Sequence, residues 1–142
     1  MFGVFQHTVR RHPSILLHGL DDTFNTPVSR HTENRVKDFA DFPHLEILIE
    51  SEVSGLCLIQ DIKRRHLHMF NHLEYVSDTL HNEYVRDLST GQDVNIPLNY
   101  YPDNDPNNGP INSWRGNGHL LFSNWVNFLY QTTPFLLEDI GK

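Results

Sequence analysis

The sequence is poor in cysteine, in basic residues and in long apolar runs. Its 142 residues include one cysteine, which excludes an internal disulfide bond. Eleven Lys and Arg stand against 18 Asp and Glu, a net charge of −7, and the basic cluster Lys63-Arg64-Arg65 is too small to indicate nucleic acid or an anionic membrane as a partner. The start of the chain does not resemble a secretion signal, and no apolar run approaches membrane-spanning length. These absences predict a cytoplasmic protein.

What is present favours one modest globular domain. Hydrophobic residues make up 38% of the chain, which is enough for a core, so residues 1–142 are expected to form a single domain. Clusters of proline, glycine and asparagine predict loops at Pro13–Thr32 and Asn95–Ser113. Compact apolar runs predict strands at Phe2–Val9, Leu45–Ile49, Leu56–Ile59 and Arg65–Asn71.

Three segments are expected to be helical. The first is short and lies within Glu33–Asp41. The second begins after Ser77 or Asp78, ends before Gly91 and carries one apolar stripe, formed by Leu80, Tyr84 and Leu88. The last runs from about Gly118 to Gln131, before Pro134.

The most informative motif is a His-x-Glu between a predicted strand and the second helix. His72 follows the strand, and Glu74 lies two residues further on. Histidine transfers protons near neutral pH, and a carboxylate at this spacing can accept the ring N–H and fix the tautomer. Two members of a nucleophile, base and orienter triad are therefore present, without a convincing nucleophile turn for the third. From spacing alone, a strand-end histidine beside a surface carboxylate is the commoner explanation.

Other polar residues have ordinary explanations when taken singly. Cys57 has apolar neighbours on both sides, which indicates a buried, inert thiol rather than a nucleophile. Arg86 can form an intrahelical pair with Glu83. Ser29, in a Pro-Val-Ser-Arg segment, indicates nothing by itself.

Metal binding is a minority interpretation of the histidines. His66, His68 and His72 share strand parity, but chance alignment is easy among ten histidines and no second cluster completes a site. The segment 103–107 has calcium-loop spacing, but a proline interrupts it and Trp114 stands where a bidentate glutamate is required. We therefore expect a turn-forming loop there and no metal site, although a histidine-rich metal-binding module stays open as a third class of function.

Taken together, these stretches resemble one family, the homoserine O-acyltransferases (succinyl- or acetyltransferases) of methionine biosynthesis. The segments that follow the order of the family are Phe2-Gly3-Val4-Phe5, Asp21-Asp22-Thr23-Phe24, Ser29-Arg30, Leu45-Glu46-Ile47-Leu48, His72 to Tyr75, Glu83-Tyr84, Arg86-Asp87, Asn99-Tyr100-Tyr101-Pro102, Trp114-Arg115 and Leu120 to Trp125. The resemblance implies an α/β fold, namely the C-terminal half of a flavodoxin-like, class I glutamine amidotransferase-like three-layer sandwich. Residues 1–142 would then be the C-terminal half of an acyltransferase catalytic domain.

The resemblance also implies roles for four residues. His72 corresponds to the general base of the family, and Glu74 completes a Cys-His-Glu triad. Ser29 and Arg86 correspond to residues that bind the amino-acid substrate. An arginine suits a substrate carboxylate because two parallel charge-assisted hydrogen bonds fix its orientation.

In the family, a cysteine takes the acyl group from acyl-CoA, a co-substrate rather than a cofactor, and passes it to the amino-acid hydroxyl. That cysteine and a substrate-binding lysine belong to a region that would precede residue 1. The chain is thus expected to be a truncation, a proteolytic fragment or one part of a split enzyme, inactive alone and forming a homodimer or pairing with its N-terminal half.

Two departures from the family pattern bear on substrate choice. The family usually has Gly-His-Pro-Glu, and this chain has Asn71 in place of the glycine and Leu73 in place of the proline. Val28 stands where the family usually has a histidine before Ser-Arg. Homoserine and serine differ by one methylene, which is worth about 1 to 3 kcal/mol in a pocket. Serine O-acetylation in cysteine biosynthesis is therefore an alternative to homoserine acylation with succinyl-CoA or acetyl-CoA, and a non-catalytic fragment is a further one.

Overall fold

The computed structural model describes residues 1–10 and 13–141, and its centre is a five-stranded antiparallel sheet. The strands are β1 (Phe2–Val9), β2 (Thr23–Ser29), β3 (Leu45–Ser51), β4 (Gly55–Asp61) and β5 (His66–Met69), in the spatial order β2-β1-β3-β4-β5. Two α-helices follow the sheet in the chain, α1 (Thr79–Ser89) and α2 (Arg115–Thr132). The predicted α/β class is confirmed at this level.

Four of the five strands lie where the apolar runs predict them. β1 has the predicted bounds, while β3 and β4 extend the runs by one or two residues and pair as a hairpin. Leu48 and Ile49 of β3 and Leu56 and Leu58 of β4 are each fully buried. β5 pairs with β4 and forms one edge of the sheet.

The segment Pro13–Thr32, expected to be rich in loops, contains a strand that the sequence pattern does not predict, β2. Pro27 is paired with Val4 in the register of β1 and β2, although proline cannot donate a ladder hydrogen bond. β2 is an edge strand, and the Pro27 carbonyl accepts a hydrogen bond from His72 N–H outside the sheet. The Pro27 nitrogen, which carries no hydrogen, therefore faces away from β1. The pairing of β1 with β2 loses no hydrogen bond because of this proline.

The helices differ from expectation in three details. The short helix within Glu33–Asp41 is reduced to one 3₁₀ turn, Val36–Phe39. The apolar stripe of α1 is buried only at its start, because Leu80 is 1% exposed whereas Leu88 is 47% exposed. α2 begins at Arg115, three residues before the predicted Gly118. Neither α1 nor α2 is both long enough and apolar enough to cross a membrane, and the same holds for every other helix in the described part of the chain.

The apolar core lies where the sheet, the two helices and the loops between them meet. Trp114, at the start of α2, is 1% exposed and is among the largest fully buried side chains. The cluster also includes Leu73, from the loop between β5 and α1, together with Leu80 of α1 and Leu121 of α2. The loop that carries the His-x-Glu motif is thus anchored in the core by its middle residue.

Candidate functional site

The His-x-Glu motif lies on the loop that joins β5 to α1. The distance from His72 Nδ1 to Glu74 Oε1 is 2.8 Å. Because a carboxylate oxygen only accepts, His72 carries its proton on Nδ1 and leaves Nε2 as an acceptor when the ring is neutral. His72 is half-buried and Glu74 is exposed at the rim. The contact that the spacing allows is present, and it is the arrangement of an oriented general base.

Tyr75 supports the imidazole from one face. Its ring stacks on His72 with the centroids 4.2 Å apart and the planes 18° from parallel. The Tyr75 hydroxyl donates to Glu83 Oε1 of α1 over 2.6 Å. Burial raises the pKa of Tyr75, and the Glu83 carboxylate raises it further, so the phenol stays a neutral donor.

Glu83, for which helical spacing suggests a pair with Arg86, is instead bonded to Tyr75. Its Oε1 accepts from Tyr75, whereas its Oε2 is buried and has no hydrogen-bond partner among the described residues. Burying a carboxylate oxygen without a hydrogen-bond donor costs folding free energy. Oε2 is therefore an unsatisfied acceptor on the residue that holds Tyr75, and Tyr75 stacks on His72. Helical spacing alone does not reveal this role, since it depends on which way the carboxylate turns.

The main chain around His72 is held from several sides. His72 N–H donates to Pro27 O of β2 over 2.9 Å, and Trp114 Nε1–H donates to Tyr75 O over 2.8 Å. Gly118 of α2 lies against Leu73 O, where a Cβ atom would come within 2.7 Å. The loop is therefore fixed to β2 on one side and to α2 on the other.

Arg86 lies on the exposed side of α1 and does not pair with Glu83. Its Nε donates to Asp87 Oδ1 over 2.7 Å, so the expected Arg86–Glu83 pair is wrong. The physical reason is that Glu83 turns inward to the Tyr75 hydroxyl. The Arg86 charge nevertheless lies close enough to lower the pKa of Tyr75 against the stronger effects of burial and Glu83.

Ser29 and His72 line different cavities. Ser29, the last residue of β2, borders a cavity of about 650 Å³ that Asp87 also lines. His72 and Glu74 border a largely apolar cavity of about 400 Å³, whose remaining lining residues are Leu58, Leu67, Met69, Asn71, Leu121, Phe122 and Trp125. Among the four residues that the resemblance implicates, the structure brings His72 and Glu74 into contact and leaves Ser29 and Arg86 apart from them.

Cys57 is buried, as predicted. It is 0% exposed, and burial raises the pKa of its thiol to about 12. A thiolate is therefore scarce at neutral pH, and this residue is not the nucleophile that the triad lacks.

The two histidines of β5 are not joined by His72. The rings of His66 and His68 lie 6.1 Å apart on the exposed edge strand, whereas His72 lies beyond the strand and is bonded to Glu74. Within the part of the chain that the structure describes, no three His, Cys, Asp or Glu side chains are grouped so that they could hold a metal ion. In the segment 103–107, Asp105 Oδ1 accepts from the backbone and side chain of Asn107, which is the turn that the sequence predicts.

Comparison with known proteins gives a consistent result over nearly the whole chain. The sequence model of a family described as homoserine O-succinyltransferase matches residues 1–135. The chain is 50% identical over 140 residues to a protein of Rhizobium leguminosarum bv. trifolii named homoserine O-acetyltransferase. Proteins of the same name from Allorhizobium ampelinum and Cereibacter sphaeroides are 50% and 46% identical over 141 residues. Each alignment covers 99% of this chain and 46% of the relative, so the chain spans about half the length of the curated relatives it matches.

Proposed function

The chain belongs to the homoserine O-succinyltransferase family, and we propose that it is the C-terminal half of an acyl-CoA-dependent homoserine O-acyltransferase of methionine biosynthesis. The observation that carries the proposal is the 2.8 Å hydrogen bond that orients His72 against Glu74. We favour acetyl-CoA as the donor because the relatives near 50% identity are named acetyltransferases, with succinyl-CoA, after which the family is described, as the alternative.

In the proposed reaction, His72 acts twice as a proton carrier. First, His72 Nε2 takes the proton of a cysteine thiol of the preceding half, the thiolate attacks the thioester carbonyl, the carbon–sulfur bond to CoA breaks, and His72 returns the proton to the departing CoA sulfur. Second, the neutral His72 Nε2 takes the proton of the homoserine hydroxyl, the hydroxyl oxygen attacks the enzyme thioester, and the cysteine sulfur departs and receives that proton. Glu74 stabilises the imidazolium that forms, as the orienting acid of a triad does.

The amino-acid end of the substrate would be held by α1. The Arg86 guanidinium can offer two parallel N–H donors to the substrate carboxylate. To do so, it would release Asp87, to which its Nε is bonded. The buried, unpartnered Oε2 of Glu83 suits the ammonium group, since a charged N–H donor would satisfy it. Ser29, from the neighbouring cavity, would complete the binding of the same molecule.

One exposed face of α2 is apolar. The face of α2 leaves Val126 and Tyr130 more than half exposed, and Trp125 is 39% exposed beside the His72 cavity. We propose that this domain, 1–142, is half of a three-layer, class I glutamine amidotransferase-like sandwich and that the preceding half or a second copy covers this face. Sedimentation velocity should show a dimer or larger species at micromolar concentration, and a stable compact monomer would contradict this part of the proposal.

Reconstitution tests the function directly. The isolated chain should release no CoA above background from acetyl-CoA or succinyl-CoA with homoserine or serine. Co-expression with the preceding half of the R. leguminosarum relative should restore homoserine-dependent CoA release. Release by the isolated chain, or none from a folded reconstituted complex, would overturn the proposal.

Substitution of Glu83 separates substrate binding from acyl loading. Glu83→Gln in the reconstituted enzyme should raise KM for homoserine about tenfold or more, because a neutral amide loses the charge-assisted bond to the ammonium. The burst of CoA that reports acyl loading should be unchanged. Glu33→Gln, at an exposed carboxylate, is the matched control.

A further inference from the structure

A buried polar cluster lies directly behind the proposed base. His7 of β1 is 0% exposed and Asn71, the residue before His72, is 2% exposed. His7 Nδ1–H donates to Phe5 O over 2.9 Å, so its Nε2 is an acceptor. That nitrogen has one lone pair, which it shares between Asn71 Nδ2–H at 2.7 Å and Ser54 Oγ–H at 3.0 Å.

The other end of the Asn71 amide is bound as well. Its Oδ1 accepts from Arg30 Nη1 over 3.2 Å, and the same nitrogen donates to Leu56 O over 3.1 Å. Both ends of one amide are thus held by charged or aromatic side chains from β1 and from the residue after β2. The arrangement assigns the amide orientation without ambiguity, because His7 Nε2 requires a donor and Arg30 requires an acceptor.

His72 directly follows the braced Asn71 in the chain. Its N–H is bonded to Pro27 O, and its ring is bonded to Glu74. We propose that Asn71 is a positioning residue for His72, its amide braced between His7 and Arg30 so that the imidazole keeps a single orientation and tautomer.

The inference rests on the proposed role of His72, but its test reads the ring and not the activity. In the chain labelled with ¹⁵N, long-range nitrogen–proton correlations report which nitrogen of His72 is protonated. The parent chain should show one tautomer, with the proton on Nδ1. Asn71→Ala should convert this to an averaged mixture and should speed hydrogen exchange of the His72 amide by about tenfold relative to the rest of the sheet.

Two further variants make the outcome decisive. Arg30→Met removes one brace, keeps the aliphatic stem at a half-buried position and should shift the His72 tautomer in the same direction if Asn71→Ala does not fold. Ser54→Ala removes a hydrogen bond to the same His7 nitrogen without touching Asn71, so it should leave the His72 tautomer and amide exchange unchanged.

An unchanged His72 in Asn71→Ala or in Arg30→Met, or an equal change in Ser54→Ala, would overturn the inference. Because no step of the test involves acyl transfer, an inactive reconstituted enzyme would contradict the proposed function and leave this result standing.

Discussion

The loop around His72 and the outer face of α1 hold their polar groups in opposite ways. The loop is bonded through Pro27 O, through Trp114 and through the Asn71 amide, and its His72–Glu74 pair is already closed. The Arg86 side chain, on α1, is mostly exposed and is paired with its neighbour Asp87. On the roles proposed above, the base would be preorganised in this chain, whereas the residues proposed to hold the amino acid would change partners when a ligand binds.

The largest expected effect comes from removing the preorganised base. His72→Ala in the reconstituted enzyme should lower kcat about 10²- to 10⁴-fold, the usual contribution of a general base. His68→Ala, at an exposed histidine of β5, should leave turnover unchanged. Steady-state CoA release measures both, and a similar rate in the two variants would remove the basis for treating the loop as the catalytic region.

The next largest effect is expected from acid, which should lower the free energy of unfolding through the buried His7. Burial lowers the pKa of His7 from 6.5 to about 4, and the Arg30 charge acts in the same direction. The unfolded chain therefore binds a proton first, so this contribution is complete above pH 6.5 and is lost as the pH falls towards 4. The loss amounts to about 3 kcal/mol of unfolding free energy.

Urea unfolding at several pH values measures this loss. His7→Gln should show a shallower decline between pH 6.5 and 4 than the parent chain, because glutamine does not titrate. Equal slopes in the two proteins would show that other groups cause the acid sensitivity.

A third test loosens the contact between the loop and α2. Gly118→Ala places a methyl group 2.7 Å from Leu73 O, which forces the helix and the loop apart and should cost about 1 to 3 kcal/mol of unfolding free energy. Gly116→Ala, two residues earlier on the same helix, meets no atom within 4 Å and should be neutral or slightly stabilising. Equal stabilities, measured by urea unfolding, would mean that the close approach is not needed.

The smallest effect is expected on the exposed side. Arg86→Lys keeps the charge but loses the two-pronged geometry, so kcat/KM for homoserine should fall more than about tenfold while the CoA burst barely changes. In the isolated chain, stability should barely change, because the Arg86–Asp87 pair is exposed and screened by solvent. Equal losses in both half-reactions would indicate general damage instead of lost binding.

Sequence periodicity predicts the elements whose structure is indicated by the apolar pattern of their own residues. β1, β3, β4 and α1 carry continuous apolar patterns and appear where expected. β2 lacks such a pattern and contains Pro27, and it is a strand only because β1 supplies the register. Gly116 and Asn117 precede the predicted helix start at Gly118 but belong to α2, and the close packing against Leu73 favours glycine at position 118.

In the candidate site too, contacts between residues close in sequence are predictable and contacts between distant residues are not. The His72–Glu74 contact follows from a spacing of two residues and was therefore accessible from the sequence. The bracing of Asn71 by His7 joins residues 64 positions apart, and the inward turn of Glu83 depends on Tyr75. Contacts of this kind are properties of the assembled sheet, which no local pattern encodes. The substrate roles of Ser29 and Arg86 stay predictions.

The attachment of α2 to the start of the chain has a consequence for folding kinetics. Asn124 Nδ2 donates to Leu16 O and His18 O, and Asn117 is bonded to Asp21, across separations of 96 to 108 residues. Closing loops of that length is slow compared with forming the local β3–β4 hairpin, so α2 should dock late. Leu121, Phe122 and Trp125 of α2 form one wall of the cavity at His72. A refolding chain should therefore acquire its sheet before it acquires a place for a substrate to react.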